Sequence, residues 1–255
     1  MLKKVDAKMN LKRLNSLIAS KNILHTYNYR KCAKYYEKLI LSIIIEILEK
    51  HNYILDFTIN NVKLLSEGSV LNSSTAIGYI IEEFLSRQIK NSRDYSHSFH
   101  FPYKTSDSAF DFMFKSNSIQ LYCNIKAEKE GEYKKQKLIS GKSSNKGIAS
   151  AEAIYKLYSN EPKIPKLYLI IKLPYSIEVT KSVLILNKKI ETYYLENFIL
   201  FNTKADNRSW SKKNKKISGR LQSPGNKDMK KYTINTIPNY KLIRYVINNL
   251  NNLLK

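Results

Sequence analysis

Residues 110–126, FDFMFKSNSIQLYCNIK, set a carboxylate, an amide and a lysine into a run of aromatic and aliphatic residues. The pattern predicts two strands, 110–114 and 119–126, joined by a polar turn at 115–118. Side chains alternate along a strand, so Tyr122, Asn124 and Lys126 share one face, and Leu121, Cys123 and Ile125 the other. The second set is apolar and fits a core. The first places an amide and an amine side by side, with Asp111 on the neighbouring strand. Burying an unpaired charge is costly. A carboxylate and an amine in such surroundings are therefore either partners in a buried ion pair or the working groups of a site.

A further acid comes from the element upstream. Residues 74–85, STAIGYIIEEFL, read as a helix with Ser74 as N-cap. Helix and hairpin together resemble the PD-(D/E)XK nuclease motif, carried by many type II restriction endonucleases. In that motif an acid at the start of a strand is followed by a short hairpin and then by acid-x-Lys on the next strand. Asp111 matches the first acid and Lys126 the lysine, while Asn124 stands where the second acid usually is. Gly78-x-x-x-Glu82 is similar to the helix that precedes the hairpin, with Glu82 as the matching acid and Glu83 as the alternative. The resemblance spans about residues 75–158.

It implies an α/β, restriction-endonuclease-like core, a mixed central sheet flanked by helices. It implies phosphodiester hydrolysis with Mg2+, held by Asp111, Glu82, Asn124 and the carbonyl of Ile125. The catalytic set is then Asp111, Asn124, Lys126 and Glu82, with Lys126 orienting the attacking water or sharing in its deprotonation, and stabilising negative charge. An amide oxygen ligates Mg2+ without adding charge, so weaker metal affinity is expected, unless Glu128, two residues past Lys126, supplies the second carboxylate. The resemblance also implies a restriction–modification setting in the cytoplasm, double-stranded DNA as substrate and a homodimer, because a two-fold protein matches a two-fold sequence.

Charge points the same way. The chain of 255 residues carries 44 Lys and Arg against 21 Asp and Glu, a net +23, which favours a polyanionic partner. An AT-rich genome produces the same abundance of Lys, Asn, Ile and Tyr, so charge alone does not separate a DNA binder from compositional bias. Hydrophobic residues make up 43%, enough for a sizeable core. Cys32 and Cys123 stand at unrelated positions with no metal-ligand spacing, and are expected as reduced, buried thiols in a cytosolic protein. The first residues, MLKKVDAKMNLKRL, lack the apolar stretch of a signal peptide, and the run 39–48 is too short for a membrane span.

In chain order, a short amphipathic helix is expected over 7–20, and a longer, largely buried one over 29–50. A strand is expected near 54–59, and a polar loop holding His97 and His100, which read as solvated, follows the 75–90 helix. The segment 134–147 is basic and rich in small residues, and Lys134, Lys135, Lys137, Lys142, Ser143, Ser144, Asn145 and Lys146 suit phosphate contacts. Its SGKS at 140–143 echoes a phosphate loop, but Gln136 stands where that motif needs glycine, which excludes a nucleotide site. A helix is expected over 148–158, strands over 167–173 and 182–186, a short helix over 191–197 and a strand over 198–201. The basic stretch 204–231 is either a solvated loop or an arm lying on DNA through Lys212, Lys213, Lys215, Lys216 and Arg220. Leu242, Ile243, Val246, Ile247 and Leu250 mark the buried stripe of a helix over 238–254. No repeat or linker divides the chain, so one domain over 1–255 is expected, with its catalytic core at about 75–203. A non-catalytic nucleic-acid binder would explain the charge equally well, though not Asp111 with Lys126 and Glu82. A repair or junction-resolving nuclease of the same fold is not separable from a restriction enzyme at this level.

Overall fold

The structure is a computed structural model that describes residues 26–59, 62–65, 69, 74–94, 96, 99–102, 110–115, 119–130, 147–150, 157, 166–195, 210–213 and 216–222. Helix α1 (Thr26–Lys50) comes first, followed by the short strands β1 (Ile54–Asp56), β2 (Thr58–Ile59) and β3 (Val62–Lys63). Helix α2 (Ser74–Asn91) precedes β4 (Phe99–His100), β5 (Phe112–Lys115) and β6 (Gln120–Lys129). Then come β7 (Gly147–Ser150), β8 (Lys166–Glu178), β9 (Val183–Leu186) and β10 (Glu191–Tyr194), and finally β11 (Trp210–Lys213) and β12 (Lys216–Gln222).

The main sheet runs β1-β9-β8-β6-β5-β4, with β10 also paired to β8. Its centre is the parallel pair β6–β8, in register from Gln120↔Lys166 to Lys129↔Tyr175, and every other pairing in it is antiparallel. The architecture is thus α/β, a mixed sheet flanked by helices. The long strand β8 shares its second edge between β10, opposite residues 169–172, and β9, opposite residues 175–178. That central place explains LYLIIKL: a strand covered on both faces reads as a continuous apolar run, and residues 166–173 are all buried. No helix among the described residues is long and apolar enough to cross a membrane.

The register puts Phe112, Phe114, Leu121, Cys123, Leu169 and Ile171 on one sheet face, which helix α1 meets at Phe114. Its Tyr36 ring sits 4.5 Å from that of Phe114. Its buried Glu37 accepts hydrogen bonds from Tyr194 Oη and Thr192 Oγ1, each at 2.8 Å, and from Lys34 Nζ at 3.1 Å. This carboxylate ties the helix to the edge strand β10. Glu37→Ala removes the acceptor of two hydroxyls and is expected to lower stability by on the order of 3 kcal/mol. Glu37→Gln, which keeps one oxygen, should cost less, and urea unfolding checks the order of the two.

Four sequence expectations are corrected here. Residues 191–194 form a strand, not the start of a helix, because Glu-Thr-Tyr-Tyr is β-favouring and β8 offers an open edge. Residues 148–150 belong to strand β7, not to a helix over 148–158; their backbone pairs with β12, and Leu157 further on is helical. His100 sits in β4 beside Met113, not in a loop. The stretch 204–231 is no plain loop, since it contains the antiparallel pair β11–β12. The expected elements at 7–20, 198–201 and 238–254 lie outside the described residues, as does His97.

Candidate active site

Helix α2 is rotated by its apolar stripe. Ile77, Ile81, Leu85 and Ile89 recur every fourth residue and are fully buried. This places Glu82, next to Ile81, at the border of the buried stripe, and α2 packs along β6. Glu82 is half-buried there. Glu83, one residue on, is turned to solvent and pairs with Arg87 at 2.6 Å, so Glu82 is the acid that α2 brings to the sheet.

Asp111 lies just before β5 and is held by the backbone of β6 from two sides. Its N–H donates to the carbonyl of Cys123 at 2.9 Å, and its Oδ2 accepts from the N–H of Ile125. These two bonds, next to the Phe112↔Cys123 pairing, place Asp111 alongside residues 123–125 of β6. Phe112 and Phe114 anchor this end of the hairpin in the core on the other face. Asn124 is buried at 3% exposure, and Lys126, on the same face, is half-buried.

These groups act on one another electrostatically. The carboxyls of Glu82 and Asp111 share a hydrogen bond, and Lys126 acts electrostatically on both. Burial pushes the Glu82 carboxyl up to about 8, helped by the Asp111 charge and that hydrogen bond, with Lys126 opposing. Asp111 is also raised by burial, against the pull of Lys126, the Glu82 hydrogen bond and the Ile125 amide. Both carboxyls are thus pushed up, and they hold a proton between them at neutral pH. Two carboxyls that share one proton beside a lysine are more than an ion pair, because a one-to-one pair leaves no second acid to neutralise. The same burial and the Asp111 charge push the Cys123 thiol well above its ordinary range, so this sulfur is an inert neighbour; Cys32 is likewise buried and free.

The structure thus brings Glu82, Asp111 and Lys126 together, with Asn124 and the Ile125 backbone beside them. A third carboxylate at position 124 would stand beside two that already share a proton, and the amide avoids that repulsion. Glu128 is on the same face but is engaged elsewhere, in an ion pair with Lys172 at 2.9 Å. Among the described residues no group of three His, Cys, Asp or Glu side chains is placed to hold a metal ion, so the carboxylate count here is two. The donor set still suits a hard divalent cation. Its atoms are all oxygens, and the shared proton marks a place where positive charge is needed. Mg2+ commonly takes one or two carboxylates and keeps several waters.

Of the residues expected to face DNA, Lys212, Lys213, Lys216 and Arg220 lie on β11 and β12. Lys213 pairs in register with Lys216, Lys212 with Ile217, and Arg220 with Ser150 of β7. Strands β11 and β12 join β7, which begins at Gly147, in one three-stranded sheet, β11-β12-β7. Lys134, Lys135, Lys137, Lys142, Ser143, Ser144, Asn145, Lys146 and Lys215 lie outside the described residues. One charged residue of the site face was not singled out from the sequence: Lys172, whose signal is a lone cation inside the apolar run of β8.

No protein-family model and no curated protein matches the chain. Among solved structures, it is similar to the NlaIV restriction endonuclease, at 13% sequence identity and a TM-score of 0.49, over 83% of this chain and 79% of that one.

Proposed function

We propose that this chain is a Mg2+-dependent endonuclease of the type II restriction class, hydrolysing phosphodiester bonds in double-stranded DNA as a homodimer. The observation that carries the reading is the meeting of Glu82, Asp111 and Lys126 at the point where α2 touches the β5–β6 hairpin. Asp111 and Glu82 would hold the metal, with the Asn124 amide oxygen and the Ile125 carbonyl as further donors. When bound, Mg2+ supplies charge neutralisation at the phosphate and lowers the pKa of a coordinated water.

The protein's own groups do the rest. Loss of the proton shared by Glu82 and Asp111 gives the site its full negative charge. Lys126 Nζ donates hydrogen bonds to the attacking water and to the phosphate oxygens as negative charge builds on them. The buried stripe of α2 and the two backbone hydrogen bonds of Asp111 hold these groups in place before substrate arrives. Basic residues of the β11-β12-β7 sheet and of the 134–147 segment would grip the phosphate backbone, which positions the duplex without reading sequence.

Incubation with a mixed-sequence plasmid and Mg2+ tests this. Discrete fragments are expected; a smear points to a nonspecific nuclease, and intact plasmid overturns the catalytic reading. Binding to a short duplex in Ca2+ should also weaken steeply with salt. Each phosphate contact adds a slope of roughly −0.9 to log K against log salt, and 6–10 contacts are expected as an order of magnitude. A flat response would mean that the net charge of +23 is compositional only.

A further inference from the structure

Lys172 is a cation in an expensive place. It is 5% exposed, in the middle of the central strand β8. Its Nζ lies 2.9 Å from Glu128 Oε2 and 5.6 Å from the centre of the Tyr193 ring, whose hydroxyl in turn donates to Glu191. Each contact offsets part of the cost of taking an ammonium out of water. The parallel register pairs Lys172 with Lys126, so the two lysines stand side by side on one face, about 4.8 Å apart between strands. Two like charges there repel, unless one is neutralised locally. Glu128 does so, reaching across from two residues beyond Lys126 on its own strand.

The same contact settles where the Glu128 carboxylate goes. With Lys172 absent, Glu128 would add a third negative charge to the face that carries Asn124 and Lys126. With Lys172 present, the pair is neutral as a unit, and the centre keeps two carboxylates and one lysine.

We propose that Lys172 is a positioning residue of this site: by holding Glu128 in a part-buried ion pair it withholds that carboxylate from the divalent-cation centre and fixes the charge seen by Lys126. This rests on the metal-dependent nuclease reading. It assigns Glu128 to Lys172 rather than to the metal, and it gives Asn124 a counterpart, since both hold down the negative charge of the site.

The test compares the full-length protein with Lys172→Met, Glu128→Gln and the double variant, by calorimetric titration with Ca2+ in the absence of DNA. Lys172→Met releases the Glu128 carboxylate and should tighten Ca2+ binding about tenfold. Glu128→Gln leaves the Lys172 charge uncompensated and should weaken it by a similar factor. The double variant, which loses both charges together, should return close to wild type in Ca2+ affinity and in Mg2+-dependent cleavage. Losing both partners is also the gentler change to the fold. Should Lys172→Met fail to fold, recovery of Ca2+ affinity from Glu128→Gln to the double variant decides the matter. If all the folded variants bind Ca2+ within twofold of wild type while losing stability, the pair is a structural strut and the proposal is wrong, with the nuclease reading untouched. If the wild-type protein itself neither binds Ca2+ nor cuts DNA, both fall.

Discussion

Asp111→Asn and Lys126→Ala should each abolish the proposed DNA cleavage, by a factor on the order of 10³ or more, while binding to duplex in Ca2+ should survive. The magnitude is that of losing one preorganised charged group at a reacting phosphate, about 4 kcal/mol of transition-state stabilisation. Asparagine is the informative replacement at 111. Its Oδ1 can still accept from the N–H of Ile125, so the backbone anchor of this corner is kept and only the charge is lost. Asp111→Ala would leave that N–H without its acceptor as well, which adds a folding penalty of about 1–3 kcal/mol and blurs the result. Lys126→Ala removes a cation that opposes the charge of Glu82 and Asp111. End-labelled duplex cleavage with Mg2+, paired with gel-shift binding in Ca2+, separates chemistry from affinity. Loss of binding in a folded variant would show that these residues grip DNA and do no chemistry.

The parts of this site that could be read from sequence are those set by short-range periodicity. Alternation alone puts Asn124 and Lys126 on one face of β6, and Gly78-x-x-x-Glu82 points to Glu82, which the apolar stripe of α2 then sets at its border. The choice between Glu82 and Glu83 was open in the sequence, because both flank the stripe. Arg87, one turn beyond Glu83, and the packing of α2 on β6 decide it. What could not be read is non-local. Strand β10 was taken for a helix because nothing in Glu-Thr-Tyr-Tyr announces that β8, some twenty residues earlier, leaves an edge for it. The union of β7 with β12 depends on pairing between segments about seventy residues apart. Lys172 shows in the sequence only as a lone cation in an apolar run; the parallel register is what sets it beside Lys126. Strand propensity reports how well a residue suits a half-buried pleated surface, and not which partner completes that surface.

In metal-free protein, stability should fall as pH rises from about 4.5 to about 8, the ordinary and folded-state values for the Glu82 carboxyl. The sign follows from proton binding. Over that window the native state keeps the Glu82 proton and the unfolded chain has lost it, so raising pH favours unfolding. The contribution is fully present below the ordinary value and is lost as pH passes the folded one. Asp111 is raised too and adds in the same direction. Glu82→Gln should remove the Glu82 part of this slope. Its amide mimics the protonated acid and can still donate to Asp111, but it carries no charge at any pH. At pH 8.5 the variant should therefore be more stable than wild type, by on the order of 2 kcal/mol after allowance for solvent screening. That is roughly 4–8 °C in Tm for a chain of this size. Near pH 4 the two should converge. Mg2+ provides the second arm, because a cation that replaces the shared proton should restore stability to wild type at pH 8.5 and do much less for Glu82→Gln. It should also make the Mg2+ concentration for half-maximal cleavage fall as pH approaches 8, since proton and metal compete for the same carboxyls. Thermal unfolding of both proteins from pH 4 to 8.5, with and without Mg2+, reads all of this without relying on cleavage. Equal pH slopes in wild type and Glu82→Gln would assign the proton to another group and remove Glu82 from the site.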